Sequence, residues 1–149
     1  RRQRQMCIRD RLNTCDLGKI YLFLLNEIEG EQITGYKDKD QILYAMAEKF
    51  PNARFVLTLG SDGAVYYDGK EKVFQDIFEV KAVDTTAAGD TFTGYFIAAV
   101  IEDRSVQEAL RMAAKASSIA VSRPGATPSI PAMDEVKGKL GMQDFNKTE

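Results

Sequence analysis

Two short apolar runs, Tyr21-Leu-Phe-Leu-Leu25 and Phe55-Val-Leu-Thr-Leu59, flank a segment whose apolar residues recur at helical spacing. Neither run alternates polar with apolar residues. Each is too short for a buried helix and suits a strand covered on both faces of a parallel sheet. The intervening segment, Asp38 to Phe50, places Ile42, Leu43, Met46, Ala47 and Phe50 on one side of a helix, and Pro51-Asn52 stops it. Strand, helix, strand in that order predicts neighbouring strands joined by a crossover, hence a layered α/β architecture with helices on both faces.

The rest of the chain continues in short elements. Gly63–Tyr67 and Lys72–Phe74 read as a hairpin with Asp68-Gly69 at the turn. Val80–Val83 reads as a further short strand. A helix over Gly89–Glu102 carries Phe92, Tyr95, Phe96, Ala99 and Val100 on one stripe. A second begins at Ser105, which with Glu108 has the pattern of a capping box. Its stripe of Val106, Ala109, Leu110, Ala113, Ser117 and Ala120 is small enough to admit a close neighbour. Arg123-Pro-Gly-Ala126 breaks that helix, and Ala132–Leu140 reads as a last short one.

Composition narrows the function. With 149 residues, 44% hydrophobic and 28% charged, the chain can bury one core. No apolar run approaches the ~20 residues of a membrane span. The formal charge is −2, yet residues 1–11 carry Arg1, Arg2, Arg4, Arg9 and Arg11 against Asp10 alone. The body is therefore acidic, which argues against a nucleic-acid surface. The segment 1–11 is read as a disordered basic tail, an artefact of sequence assembly rather than part of the fold, with the domain proper at 12–149. The two cysteines, Cys7 and Cys15, lack metal-ligand spacing, so free thiols in a reducing cytoplasm are the expectation. Histidine is absent. Triads and histidine–metal sites are thereby excluded, and a general base must be a carboxylate, Lys, Tyr or Cys.

The chemistry concentrates in Val83-Asp-Thr-Thr-Ala-Ala-Gly-Asp-Thr-Phe-Thr-Gly94. Ala87, Ala88 and Gly89 let backbone N–H groups approach a ligand, and the helix start that follows offers unpaired amides at the positive end of its dipole. That combination suits a phosphate. Asp90 lies in the first turn beside it, where a carboxylate can take the proton of a hydroxyl attacking phosphorus, worth ~10²–10⁴ in rate. Taken alone, Asp90 reads more readily as a helix cap on a tight turn.

The longer string Asp84-Thr-Thr-Ala-Ala-Gly-Asp-Thr-Phe92 resembles the C-terminal signature of the PfkB (ribokinase-like) carbohydrate kinases. Asn26-Glu-Ile-Glu29, followed by Ile33-Thr-Gly35, resembles that family's Asn-x-x-Glu motif, and Thr58-Leu-Gly-Ser-Asp-Gly63 its nucleotide loop. Ala120-Val-Ser-Arg-Pro-Gly-Ala-Thr-Pro-Ser129 resembles the segment that, with the Asp84 loop, surrounds a monovalent cation.

The resemblance implies a Rossmann-like α/β/α ribokinase fold, of which this chain is the C-terminal, nucleotide-binding portion, without the N-terminal half and lid that choose and enclose the sugar. It implies phosphorylation of a sugar hydroxyl by ATP, with D-ribose to ribose 5-phosphate as the first reading. Fructose, 2-keto-3-deoxygluconate and nucleosides are alternative acceptors, and a nucleotide-binding module without catalysis is the alternative function. Asp90 would be base and substrate contact, and Ala87, Ala88 and Gly89 the anion hole. Asn26, Thr58, Gly60 and Gly63 would meet the nucleotide, and Glu29 would act on Mg²⁺ through water. K⁺ would be held by backbone carbonyls of Thr86, Ala120, Arg123 and Gly125 and side-chain oxygens of Asp84 and Ser129. Ala114 departs from the pattern: many relatives carry Asn or His there against the adenine. The full-length enzyme would be a cytoplasmic homodimer with no nucleic-acid or membrane partner.

Overall fold

The computed structural model of the chain describes residues 21–141. The basic tail at residues 1–11 and both cysteines lie outside that range. The described residues form two compact units, one of 21–60 with 65–74, the other of 61–64 with 75–141.

The first unit is built on a sheet of β1 (Leu22–Asn26), β2 (Arg54–Thr58), β3 (Ala64–Tyr67) and β4 (Lys72–Gln75), in that spatial order. Between β1 and β2 lie helices α1 (Glu27–Thr34) and α2 (Lys39–Lys49). β1 and β2 are parallel, with Phe23 opposite Phe55, Leu25 opposite Leu57 and Asn26 opposite Thr58. Residues 59–63 and 68–71 join β2 to β3 and β3 to β4; parallel neighbours need a crossover of about a dozen residues, so those pairings are antiparallel. The Asp68 carboxylate closes the second turn by accepting from the Lys70 and Glu71 N–H groups at 2.9 and 2.7 Å.

Side-chain alternation sends Phe23, Leu25, Phe55 and Leu57 to one face, where they join Ile42, Leu43 and Met46 of α2 in a single core. The Phe23 ring stacks at 4.9 Å on Phe50 and 5.6 Å on Phe55. α2 starts where expected because the Asp38 side chain caps it, accepting from Asp40 and Gln41 N–H. β2 is buried on both faces through Phe55, Val56 and Leu57, as its sequence predicts. β1 is not: Phe23 is buried, but Leu22, Leu24 and Leu25 are half-buried and Tyr21 is 76% exposed. The reason is position, since β1 ends the sheet and has one strand neighbour among the described residues.

The second unit is helical: α3 (Ala88–Ile101), α4 (Val106–Val121) and α5 (Met133–Leu140). Phe92, Tyr95, Phe96 and Ala99 of α3 are buried, as are Ala109, Leu110, Ala113, Ala116 and Ala120 of α4, and the two helices pack on each other. Val100 lies outside the buried stripe to which the spacing assigns it. Ser105 caps α4 by accepting from Glu108 N–H at 3.2 Å. The expected box is only half formed, because the Glu108 carboxylate turns to Arg104 instead, at 3.9 Å.

Val80–Val83 forms no strand. Val80 and Val83 are exposed, and the Val83 and Asp84 N–H groups both donate to the Val121 carbonyl at the end of α4. The β-branched residues suggest a strand, but the segment's backbone is spent on a helix terminus. Among the described residues no helix is long and apolar enough to cross a membrane.

The first-unit core carries a direct test. Ile42 and Leu57 are fully buried, so Ile42→Ala or Leu57→Ala should each cost about 2–5 kcal/mol in urea unfolding. Ile101→Ala, on a residue 77% exposed, should stay within about 0.5 kcal/mol.

Candidate functional site

α3 begins without a side-chain cap. Asn26, Asp38 and Ser105 cap α1, α2 and α4, whereas the N-cap of α3 is Ala87, which has no group to offer. The Ala88 N–H reaches back to the Thr85 carbonyl at 3.2 Å. The Gly89 and Asp90 N–H groups carry no hydrogen bond among the described residues, and Gly89 and Asp90 are exposed. This helix end therefore presents open donors at the positive end of its dipole. The Asp90 carboxylate is likewise uncommitted among the described residues, so Asp90 does not serve as a cap. From α4 the Ser117 Oγ donates to the Ala88 carbonyl at 3.1 Å and pins the first turn.

The loop into α3 is organised by Asp84. Its Oδ1 accepts from the Thr86 hydroxyl at 2.5 Å and the Thr86 N–H at 2.9 Å, and its Oδ2 accepts from the Gly125 N–H at 3.2 Å. These donors, the Thr86 hydroxyl foremost, hold the Asp84 carboxyl below the usual carboxylate range. Gly125 supplies its N–H from a backbone at φ +89°, a conformation that costs glycine little and other residues more. The turn is closed by Ser129, fully buried, whose Oγ donates to the Ala126 carbonyl at 2.6 Å. The Ala120 carbonyl accepts from the Arg123 N–H.

In the first unit, Asn26 and Thr58 are cross-strand partners at the carboxyl ends of the parallel strands β1 and β2. In open α/β sheets that edge is where ligands bind. Asn26 and Glu29 form a full capping box: Asn26 Oδ1 accepts from Glu29 N–H at 2.8 Å, and Glu29 Oε2 accepts from Asn26 N–H at 3.0 Å. Asn26 and Glu29 are both exposed, and the box engages only the Asn26 Oδ1 and Glu29 Oε2 atoms of their side chains. The Thr58 hydroxyl donates to the Leu25 carbonyl at 3.3 Å, and Gly60 opens a single 3₁₀ turn, Gly60–Asp62. In the second unit Gly63 has φ +95°, and a Cβ there would stand 2.3 Å from the Gln75 carbonyl oxygen. The strand hairpin alone requires glycine at that position.

Residues 3–133 match the family described as pfkB family carbohydrate kinase. The chain belongs to that family. Among similar PfkB proteins, a ribokinase of Lactococcus lactis is 36% identical over 104 residues, 70% of this chain and 34% of that protein. A probable fructokinase-2 of Arabidopsis thaliana is 34% identical over 133 residues, 84% of this chain and 40% of that one. The solved structure of Arabidopsis thaliana ribokinase complexed with ribose and ATP superposes with a TM-score of 0.77 at 35% identity, over 85% of this chain and 43% of that one. The fold is thus part of the layered α/β ribokinase fold, and the chain spans less than half the length of these PfkB relatives.

The residues fit the groups the family implies. Two free amides and a bare helix start suit a phosphate. Glu29 alone is a sparse magnesium site, and no cluster of three or more Cys, Asp or Glu exists among the described residues. Mg²⁺ commonly relies on one or two carboxylates plus nucleotide phosphates and water, which a single glutamate satisfies. The Asp84 and Ser129 side chains would offer a hard monovalent cation oxygen atoms, and those oxygens are engaged here with Thr86, Gly125 and Ala126.

Three residues escape sequence reasoning. Ser117 reads as one more small packing residue, yet its hydroxyl holds the first turn of α3. Glu135 draws no reading from the sequence beyond its place in the last helix, yet it receives the Arg123 guanidinium. Thr91 Oγ1 is buried with no partner among the described residues, and nothing in the pattern of the helix marks it.

The Asp84 tie has a definite pH dependence. Its carboxyl is depressed in the folded chain, so the tie contributes fully above the ordinary carboxylate range and is lost as pH falls through the lowered value. The Gly125 amide resonance should hold steady from neutral pH through the ordinary carboxylate range and move only below it. Asp84→Asn should abolish that acid transition.

Proposed function

We propose that the protein carrying this chain transfers the γ-phosphoryl group of ATP to a sugar hydroxyl. The observation that carries the reading is the uncapped start of α3, with free Gly89 and Asp90 amides and an uncommitted, exposed Asp90 carboxylate in the same turn. Membership of the PfkB family and likeness to a ribokinase whose structure holds ribose and ATP support the same reading.

In this scheme the sugar oxygen attacks the γ-phosphorus, the bond from phosphorus to the β-phosphate oxygen breaks, and ADP leaves. Asp90 accepts the hydroxyl proton as the new P–O bond forms. The Ala87 and Gly89 amides, with that of Asp90, would face the charge on the phosphoryl oxygens, where fixed dipoles are most effective, while the Ala88 N–H, expected to join them, is engaged by the Thr85 carbonyl. Asn26, Thr58, Gly60 and Gly63 serve the nucleotide, and Glu29 orients a Mg²⁺ that would neutralise phosphate charge. Asp84, Ser129 and the carbonyls of Thr86, Ala120, Arg123 and Gly125 would hold K⁺, which would stiffen the loop into α3. D-ribose is the first substrate, in a cytoplasmic homodimeric enzyme. Ala114 leaves the adenine edge without a side-chain hydrogen bond at that point.

The alternative reading is a nucleotide-binding module without turnover. Sugar-dependent ADP release and ATP titration separate the two. For a kinase, ribose should stimulate ADP release, and Asp90→Asn should lower turnover on the order of 10²-fold with ATP affinity nearly unchanged. Replacing potassium with tetramethylammonium should lower activity as well. Saturable ATP binding with no sugar-dependent ADP release would establish the binding module. Near-normal turnover of the Asp90→Asn protein would remove Asp90 as the base.

A further inference from the structure

The turn at residues 122–130 carries Gly125, and Gly125 is what reaches Asp84 from α4's end of the unit. That turn has little apolar anchorage of its own: Pro124, Ala126, Thr127 and Pro128 are exposed, and only Ser129 is buried. Its position therefore depends on polar ties. The strongest is the Arg123 guanidinium, which forks onto the Glu135 carboxylate of α5, Nη1 to Oε2 at 3.2 Å and Nη2 to Oε1 closer still. A two-pronged guanidinium–carboxylate contact fixes orientation as well as distance.

α5 does not need this pair to stay docked. Val136 is fully buried, and the buried Tyr95 hydroxyl of α3 donates to the Pro131 carbonyl at 2.5 Å just before α5. With α5 held independently, the pair restrains the other side, the turn. A covalent and hydrogen-bonded path then runs from Glu135 through Arg123 to Gly125, from Gly125 to Asp84, and from Asp84 to Thr86 and the open amides of α3.

We propose that Glu135 is a positioning residue: through Arg123 it seats the 122–130 turn against Asp84 and so sets the loop that presents the Gly89 and Asp90 amides. Its effect on nucleotide binding rests on the kinase reading above; its effect on the loop does not. Arg123 and Glu135 side chains are 35% and 29% exposed, intermediate between a surface pair and a buried one. Lys139 provides an internal control, since its Nζ lies 3.3 Å from the same Glu135 oxygen but it has no part in the turn.

The test uses the ¹⁵N-labelled 149-residue chain, with amide exchange read at Gly125 and Thr86 and ATP affinity read by titration. Glu135→Gln should speed exchange at both amides about tenfold and weaken ATP binding by a similar factor. Arg123→Lys keeps the charge but gives up the fork, and should act in the same direction if Glu135→Gln proves too unstable to assay. Lys139→Gln should leave all of these within about twofold. Faster exchange confined to α5, with Gly125 and Thr86 unchanged, would reduce the pair to a helix-docking contact and overturn the proposal. If the wild-type chain binds no ATP, the nucleotide reading fails, and the Gly125 and Thr86 exchange rates alone decide the role of Glu135.

Discussion

The Asp84 carboxylate gathers three donors from two stretches of chain about forty residues apart, and the second unit's functional geometry follows from that convergence. Two of the donors belong to Thr86, so the carboxylate bends the chain directly ahead of α3. The third belongs to Gly125, so the same carboxylate brings the turn after α4 alongside. A charged acceptor suits this better than a neutral one, because it can satisfy three donors at once. Once the loop is bent, Ala87 falls at the N-cap position, and a residue without a polar side chain there leaves the next amides open. The bare helix end is thus a product of two choices, an acid at 84 and small residues at 87–89.

The first unit reaches the same kind of edge by a different route. Register does the work: Asn26 and Thr58 are level because β1 and β2 run parallel with Phe23 and Phe55 paired beneath them. The aromatic stacking and the α2 core fix that register, since a one-residue slip would turn Phe55 and Leu57 away from Ile42 and Met46. The capping box then uses Asn26 and Glu29 to start α1 at the strand's end. A motif that reads as ligand chemistry is also the shortest way to turn a strand into a helix, and both uses are compatible because each side chain keeps one polar atom free.

Much of this is legible in the sequence, for identifiable reasons. β2 and α2 follow from local patterns, because burial on both faces and helical spacing each leave a periodic trace. The α3 loop follows from its small residues, since the missing cap is a missing side chain and can be read directly. Val80–Val83 misleads because β-propensity describes a residue's comfort in a sheet, not whether a neighbouring strand exists. Glu108 misleads because Arg104, one turn away, competes for its carboxylate. Ser117, Arg123 and Glu135 are illegible as a set: each bond joins residues 12 or more apart, and a hydroxyl or ion pair between separate elements has no periodicity.

The unsatisfied amides at the start of α3 make solvent composition part of the protein's thermodynamics. An anion seated there supplies the missing cap, and because it binds only the folded chain it raises folding stability by RT ln(1 + [L]/Kd). A hundredfold excess over Kd is worth about 2.7 kcal/mol, a large share of a small domain's total. Were phosphate to bind there, the melting temperature of this chain would be a property of the buffer as well as of the sequence, higher in phosphate than in chloride. Inside a cell, where nucleotide phosphates are abundant, the folded population would track their concentration, so that the supply of ligand sets how much of the protein survives.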